Sequence, residues 1–499
     1  MKVIERLAAF GFIVVCIQAI SACGARPAPV MVPVPPVSRP PGPPAPVLAD
    51  PPAEAPAATI DPATVDTDEC ALIAAAGEAI ATVGLTDRID PRHAPRPANE
   101  SERLLFRQLY ETLVTVDCLG RVRPALAASW RLDADGRTWI VTLRENARFA
   151  DGTPMTADDV RASWSADGNR DQLHPVESIV AVDRHAVAIT FKRQHADADA
   201  VRVLAHPDLA IAKPVADSAW PLGTRSARLA EPGVPQREQR APVITIARDA
   251  LPPLRFLVAP GDARDLLDAG VDLLLTRDAA ALDYARTLPQ FQTLPLAWQR
   301  THVLLTPGRS GPSAPLSAPA RQVLAEDAVR GEARGAAEPF WWQMVRGCDV
   351  LQAPPRGRPS PTPRIVYDAN DGAARDLAER FVGLVRASGP AATMFLDVLL
   401  PDRPRRTYQR ALGLTGNALA QAIRLGTDAG YVVSVDSRPV DPCRDLQSLI
   451  GAAPWLDPET IVPLIDTRRQ AIVRRGLSGV SSEWDGGLVL AGANASRPR

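Results

Sequence analysis

The sequence predicts an α/β fold built as two lobes. The chain has 499 residues, which is enough for two bodies that each bury a core. Strand-like runs alternate with helical runs, as in α/β proteins. Residues 373–387 are one such helical run, with apolar side chains on one face: Ala374, Leu377, Ala378, Phe381 and Leu384. The two Asp-Gly pairs that begin at Asp135 and Asp151 are typical of tight turns beside strands.

The first 23 residues are typical of a lipoprotein signal peptide. Lys2 and Arg6 precede an apolar stretch, residues 7–20, that is shorter than the ~20 residues of a membrane span. The next residues, Ser21-Ala22-Cys23, are similar to a bacterial lipobox. We therefore expect cleavage before Cys23 and lipidation of its thiol. The alternative is an ordinary secretory peptide with a chance cysteine.

Residues 24–68 are expected to form a disordered tether. Pro and Ala dominate this segment, and proline-rich chains favour an extended polyproline conformation. At ~3.1 Å per residue such a segment holds a folded body up to on the order of 100 Å from a membrane. Residues 491–499 are expected to be a disordered tail.

Composition and motifs exclude several classes of function. The chain has 56 basic and 57 acidic residues and a net charge of −1, so no basic surface for nucleic acid is expected. It contains neither a phosphate-binding loop, nor a dinucleotide-binding fingerprint, nor a nucleophile elbow, so we do not expect an enzyme or a cofactor. The six histidines have no ligand-like spacing, so we expect no metal site.

A series of short motifs covers about residues 110–160. In chain order they are Tyr110-Glu111-Thr112-Leu113, PALAASW at 124–130, Asp135-Gly136, Leu143-Arg144, FADGTP at 149–154 and TADDV at 156–160. In order and spacing they resemble the signature region of family 5 of the extracellular solute-binding proteins. These are the peptide- and nickel-binding lipoproteins of ABC importers. Weaker similarity extends the resemblance to about residues 73–490.

The resemblance implies a periplasmic-binding-protein-like fold of type II, in the family 5 cluster, with a hinge and an interlobe cleft. We expect lobe one at residues 69–253, with the signature subdomain at about 100–165. Lobe two is expected at 254–453, and a return to lobe one at 454–490. The alternation of helices and strands agrees with this architecture independently.

Four cysteines remain in the mature chain if Cys23 is lipidated and the signal peptide removed: Cys70, Cys118, Cys348 and Cys443. An even number in an exported protein indicates disulfides, for which three pairings are possible. We expect pairing within each lobe, because a bridge between lobes would lock the hinge.

Ligand-binding candidates follow from a second resemblance. Peptide-binding relatives carry a Gly-Trp-x-Ala-Asp-Tyr-x-Asp-Pro type of segment in lobe two, whose first Asp holds the ligand's ammonium group. Residues 432–442 (VVSVDSRPVDP) are similar, with two residues inserted before the second Asp. The resemblance implies that Asp436 is the ammonium partner, with Val433 and Ser434 beside it. The alternative is that Asp436 ends a strand in solvent.

Other polar and aromatic residues have less specific interpretations. Trp298, Trp341 and Trp342 are candidates for stacking on a ligand, although aromatic core is the commoner role. We interpret the Arg pairs at 468–469 and 474–475 as a solvated helix and turn face.

The resemblance implies a substrate-binding lipoprotein that captures a small solute, above all an oligopeptide, and delivers it to a membrane permease. We expect a monomer, anchored by lipid to the cell membrane and facing the periplasm or the cell exterior. The alternative is a structural or signalling lipoprotein that keeps the fold without a ligand. It is motivated by Arg225 and Ser226, which stand where the family's Gly-Thr-Gly-Pro turn has Gly and Pro.

Overall fold

The computed structural model describes residues 70–73, 77–165, 176–192, 199–230, 242–249, 251–307, 318–328, 332–335, 348, 363–386, 408–458 and 461–490. The expected signal peptide with Cys23, the tether and the tail lie outside the described residues, as do Trp341 and Trp342. In the described part of the chain, no helix has both the length and the apolar character that crossing a membrane requires.

Helices and strands alternate along the described residues. The helices are α1 (Glu100–Phe106), α2 (Ala157–Ser165), α3 (Asp199–Arg202), α4 (Ala263–Asp268), α5 (Ala279–Thr287), α6 (Ala318–Ala328), α7 (Gly372–Arg386), α8 (Gly416–Leu425) and α9 (Pro442–Ala452). The strands are β1 (Ala71–Ile73), β2 (Glu78–Ala79), β3 (Thr82–Leu85), β4 (Val114–Val116), β5 (Val122–Pro124), β6 (Ala127–Leu132), β7 (Thr138–Leu143), β8 (Val176–Ala181), β9 (Ala186–Phe191), β10 (Arg228–Leu229), β11 (Val243–Arg248), β12 (Leu251–Val258), β13 (Leu273–Thr276), β14 (Phe291–Pro295), β15 (Arg300–Leu305), β16 (Ala333–Gly335), β17 (Arg364–Asp368), β18 (Arg410–Leu414), β19 (Gly430–Asp436), β20 (Val462–Thr467), β21 (Gln470–Arg474), β22 (Leu477–Ser478), β23 (Val480–Ser482) and β24 (Leu488–Leu490).

The signature region forms a small antiparallel sheet in the order β6-β7-β9-β8. Its first hairpin is the predicted one, with Leu132 opposite Trp139. Gly136 supplies the positive φ of 68° that the turn needs. Helix α2 begins after Thr156, whose backbone N–H and hydroxyl both donate to Asp159, as in a capping box. Trp139 and α2 residues such as Trp164 pack together in the core of this subdomain.

The first large sheet has seven strands in the order β10-β11-β12-β3-β13-β21-β14. Strand β3 runs parallel to β12 and to β13, so the carboxyl ends of these three strands share one edge. Apolar clusters cover both faces of the sheet: α1 packs on one face, and α4 and α5 pack on the other. This sheet and its helices, with the signature subdomain, form the first lobe.

The second large sheet has six strands in the order β16-β20-β15-β19-β17-β18. Strand β17 runs parallel to β18 and β19, while β15 is antiparallel to both β19 and β20. One edge of the sheet therefore carries the end of β17 at Asp368, the end of β19 at Asp436 and the start of β15 at Arg300. Helices α6 and α7 cover one face, and α8 and α9 cover the other. These elements form the second lobe.

The chain crosses between the lobes twice, and the two crossings lie side by side. The outward crossing joins β14 to β15, and the return joins β20 to β21. The Leu296 N–H donates to the Arg469 carbonyl at 3.0 Å, and the Gln299 N–H donates to the Thr467 carbonyl at 3.1 Å. Strands β12 to β14 belong to the first large sheet, and β20 belongs to the second. Both crossings between the lobes therefore lie later in the chain than the expected lobe limits at residues 253 and 454. We propose lobe limits at these crossings.

One sequence interpretation is wrong at the return crossing. Arg468 and Arg469 were expected on a solvated helix and turn face, but they join two buried strands, β20 and β21. Arg469 is only 7% exposed, and its Nε donates to the Gln299 side-chain oxygen at 2.9 Å. Short continuous apolar runs lie on both sides of the Arg pair, at 462–465 and 471–473, and such runs are typical of buried strands.

Both described disulfides join cysteines of one lobe. Cys70 pairs with Cys118, and Cys348 pairs with Cys443. Cys443 lies on α9, and Cys348 packs against the apolar cluster beneath that helix. The prediction of pairing within each lobe is confirmed, and the two crossings stay free of a covalent lock.

Candidate functional site

A cavity of about 920 Å³ lies where the two lobes face each other. The first lobe contributes the segments that follow β3 and β13, and the second lobe contributes the segment that follows β17. The return crossing at residues 467–469 closes one side. Ligand sites in α/β proteins lie outside the carboxyl ends of parallel strands, and this cavity has that position in both lobes at once.

Backbone hydrogen bonds on both sides of Arg277 set its place in the first-lobe wall. It lies between the last residue of β13, Thr276, and Asp278, which caps α5 by accepting from the Ala280 N–H at 2.8 Å. The Thr276 hydroxyl oxygen accepts from the Asp278 N–H at 2.9 Å. Burial, and next the charge of Arg300, lower the pKa of Arg277 below its usual value, but an arginine stays charged at neutral pH.

Acidic residues dominate the second-lobe wall. Asp368 ends β17 and accepts from the Asn370 N–H at 2.9 Å. Asp371 caps α7 by accepting from the Ala374 N–H, and it lies 3.0 Å from Nε2 of the buried His302. Burial acts to raise the pKa of Asp371, but the hydrogen bond and the charge of His302 outweigh burial and hold it well below its usual value. This wall is suited to a cationic group.

Ion pairs join the lobes beside the cavity, and we call this group the interlobe clasp: Glu100, Arg103, Arg300, Asp436 and Arg469. Arg300 of the second lobe lies 3.1 Å from Glu100 of α1 and 3.1 Å from Asp436 at the end of β19. Arg103 of α1 lies 3.9 Å from Asp436, and Arg469 lies 3.1 Å from Glu100. Burial acts to raise the pKa of Glu100, but the guanidinium groups around it, Arg469 first, hold it well below its usual value.

The described candidates from sequence do not line this cavity. The Asp436 carboxylate lies in the interlobe clasp between two guanidinium groups, and its role as an ammonium partner stays a prediction. Val433 and Ser434 precede it on β19, where they pair with Val303 and His302 of β15.

Trp298 lies at the outward crossing rather than in the cavity wall. The guanidinium groups of Arg334 and Arg468 lie 4.8 Å and 4.5 Å from the centre of its ring. These cation–π contacts account for the position of the ring, and stacking on a ligand stays a prediction.

A second charged contact also joins the lobes. Arg444 on α9 pairs with Asp208 of the first lobe, and its Nη1 lies 2.7 Å from His206 Nδ1. Burial, and then the charge of Arg444, lower the pKa of His206 to about 3, so this ring is neutral at ordinary pH. Burial and the charges of Asp436 and Asp441 raise the pKa of Asp445 to about 8.

Part of the chain is similar in sequence to known solute-binding proteins. Residues 121–231 match the family model described as bacterial extracellular solute-binding proteins, family 5 Middle. A putative binding protein of Haemophilus influenzae is 44% identical over 66 residues, which are 13% of this chain and 13% of that protein. The periplasmic murein peptide-binding protein MppA of Escherichia coli is 45% identical over 60 residues, 12% of this chain and 11% of MppA. The matched segments thus span only a small part of the relatives' length.

The fold has a solved counterpart over nearly all of its length. NikA from Brucella suis, in complex with Fe(III)-EDTA, superposes with a TM-score of 0.55 and 14% identity, covering 83% of this chain and 99% of that one. At this identity the superposition shows the fold alone. The expected two-lobed α/β fold and the expected resemblance to family 5 are both confirmed.

Proposed function

We propose, from the premise that this chain belongs to the bacterial extracellular solute-binding proteins of family 5, that it is an exported substrate-binding protein of an ABC importer. Members of this family bind solutes and do not transform them, so the proposed role is capture and delivery. The protein would hold a small solute between its lobes and present the closed form to a membrane permease.

One observation carries the proposal: the cavity of about 920 Å³ has walls from both lobes and borders the return crossing between them. A ligand that touches both walls binds the closed arrangement better than the open one. It therefore shifts the equilibrium toward closure without any chemical step. The volume lies within the range of about 300–1,000 Å³ that small-molecule sites occupy.

The peptide class is the first candidate for the solute. MppA is described as a murein peptide-binding protein, and NikA was solved with Fe(III)-EDTA, so relatives with this fold hold different solutes. The cavity wall carries both signs of charge, as with Arg277 and Asp368, which suits a polar charged ligand.

A thermal-shift screen tests the function. The mature protein is mixed with pools of peptides, amino acids, sugars and metal chelates, and hits are confirmed by calorimetry. A ligand present at 100 times its Kd stabilises the folded state by about 2.7 kcal/mol, which is readily measured. If no pool raises the melting temperature, the receptor role is refuted.

Lipid anchoring at Cys23 is a separate part of the proposal, and it rests on the sequence Ser21-Ala22-Cys23 after an apolar stretch. Growth with a labelled fatty acid should label the wild-type chain and leave Cys23→Ser unlabelled. Cys16→Ser, inside the apolar stretch, is the matched control and should keep the label. Label on Cys23→Ser would contradict the anchor.

A second candidate is the ligand-less structural or signalling lipoprotein. It is favoured by the interlobe clasp, which pairs charged groups of the two lobes without a ligand. The same thermal-shift screen separates the two, since only a receptor is stabilised by a solute.

A further inference from the structure

Arg277 differs from the other arginines of the cavity wall. Arg286 pairs with Asp283 at 2.6 Å, Arg375 with Asp376 at 3.1 Å, and Arg469 with Glu100 at 3.1 Å. Among the described residues, Arg277 has neither an ion pair nor a hydrogen bond for its guanidinium group.

An unpaired and half-buried guanidinium is costly, because water no longer solvates it fully and no carboxylate replaces the water. Glu100, Asp371 and Asp436 attract Arg277 from a distance, but none reaches it as an ion pair. The backbone on both sides is fixed by the end of β13 and by the cap of α5, so the point from which the side chain leaves the wall is set. Such a group is preorganised for an anion that arrives in the cavity.

The opposite lobe offers the complementary charge. The Asp368 carboxylate lines the same cavity at the end of β17, and its described partner is one backbone N–H, that of Asn370. Among the described residues no cation pairs with it. Asp371 beside it is already bonded to His302 and to the N-terminus of α7, which leaves Asp368 as the carboxylate open to a ligand.

We infer that the cavity takes a zwitterionic ligand whose carboxylate binds Arg277 in the first lobe and whose ammonium group binds Asp368 in the second lobe. The inference rests on the proposed function and names its ligand class. Each end of such a ligand compensates a charge on a different lobe, so both bonds form together only when the lobes are closed. The ammonium site is then Asp368 and not Asp436, which the interlobe clasp occupies.

The test uses five pools with the full mature protein: tripeptides with free ends, the same tripeptides amidated at the carboxyl end, the same tripeptides acetylated at the amino end, free amino acids, and neutral sugars. The inference expects a thermal shift with free tripeptides or amino acids. It expects the shift to be lost with the amidated and the acetylated peptides.

Variants then assign the residues, with calorimetry on a hit from those pools. Arg277→Met should weaken Kd by about 10- to 100-fold, which is the effect of one charge-assisted bond. Asp368→Asn, which keeps the oxygen that accepts from Asn370, should weaken Kd by a similar factor. Arg264→Met is the control: Arg264 lies outside the cavity wall, where it is exposed and paired with Asp262, so Kd should stay within about threefold.

The outcomes separate this inference from the proposed function. If blocked peptides or sugars bind the wild type as well as free zwitterions do, or if either variant binds normally, the charge assignment is overturned and the receptor role stands. If none of these five pools acts but a metal chelate of the wider screen does, the zwitterionic ligand is overturned and the receptor role stands; if nothing in either screen acts, both are overturned.

Discussion

Replacing Arg300 by Met should loosen the closure of the lobes. Arg300 bridges two carboxylates, Glu100 in the first lobe and Asp436 in the second, at 3.1 Å each. Removing the guanidinium leaves Glu100 with Arg469 at 3.1 Å and Asp436 with Arg103 at 3.9 Å. The shorter bridge between the lobes, from Arg300 to Glu100, is then lost, and the longer pair of Arg103 and Asp436 remains.

The size of the expected loss in the free energy of unfolding follows from how exposed the paired side chains are. Hydrogen bonds to charged groups contribute about 1.5–3 kcal/mol when sheltered, and exposed ion pairs about 0–1 kcal/mol. The side chains of Arg300, Glu100 and Asp436 are 29%, 27% and 29% exposed, so each bond has a value between these limits. Two bonds of about 1–1.5 kcal/mol give a loss of about 2–3 kcal/mol, since methionine retains the apolar stem.

Urea denaturation measures the loss in the free energy of unfolding, and small-angle X-ray scattering of the ligand-free protein measures the opening as a larger radius of gyration. Arg264→Met is the control: Arg264 pairs with Asp262 on the surface of one lobe, where the side chains are 50% and 38% exposed. It should change stability by less than about 0.5 kcal/mol and leave the radius unchanged. An Arg300→Met protein with wild-type stability and radius would refute the role of the interlobe clasp.

Three further changes are predicted. Asp445 has a folded pKa raised to about 8, so its contribution favours folding at low pH and is lost as pH rises through 8. Asp445→Asn should therefore be more stable than wild type at pH 9, by roughly 2 kcal/mol or more. Urea titrations should show this difference shrinking toward pH 4. Breaking the bond between Cys348 and Cys443 by a double change to Ser should lower the free energy of unfolding by about 3–5 kcal/mol, because it closes a loop with a sequence separation of 95; calorimetry with unchanged stability would contradict this. In Gly223→Ala, the new methyl group would lie 2.1 Å from the Leu109 carbonyl oxygen, so the melting temperature should fall. A melting temperature equal to that of wild type would show that the turn relaxes freely.

Local elements could be predicted from the sequence. The hairpin of β6 and β7 and the start of α2 follow from short patterns: Asp-Gly at a turn, alternation in the strands, and Thr156 before an acidic first turn. Each is stabilised by neighbours in the chain, so a window of a few residues contains its cause. The long helix α7 follows from its apolar face in the same way.

Elements set by distant pairing could not be predicted as well. Strand β21 lies between β13 and β14, whose residues come roughly 200 positions earlier in the chain. No local pattern states that partnership, and Arg468 and Arg469 were therefore placed on a solvated face. The proposed lobe limits differ from the expected ones for the same reason: residue 253 lies within β12, whose neighbours β11 and β3 both belong to the first sheet.

The proposed ligand residues were not singled out from the sequence, because they share a position in the fold and not a motif. Arg277 follows the end of β13 in the first lobe, and Asp368 is the last residue of β17 in the second lobe. A signal existed: a charged residue between a strand and a helix lies at the carboxyl edge of an α/β sheet, where ligands bind. The resemblance drew attention to Asp436 instead, whose charge the interlobe clasp uses.

The interlobe clasp and the cavity make a joint prediction about rates. A ligand reaches the cavity only when the lobes part, and the bond of Arg300 to Glu100 between the lobes, worth about 1–1.5 kcal/mol, lowers the ratio of open to closed form by about five- to tenfold. The ion pairs of Arg300 are present in the empty closed form and in the liganded closed form, so their contribution cancels in Kd. Arg300→Met should therefore raise the association and dissociation rates of a zwitterionic ligand together, by about five- to tenfold, with Kd within about threefold of wild type. Arg277→Met should differ by raising the dissociation rate alone. Stopped-flow fluorescence separates the two variants, and a weakened Kd with an unchanged association rate in Arg300→Met would mean that Arg300 holds the ligand and not the lobes.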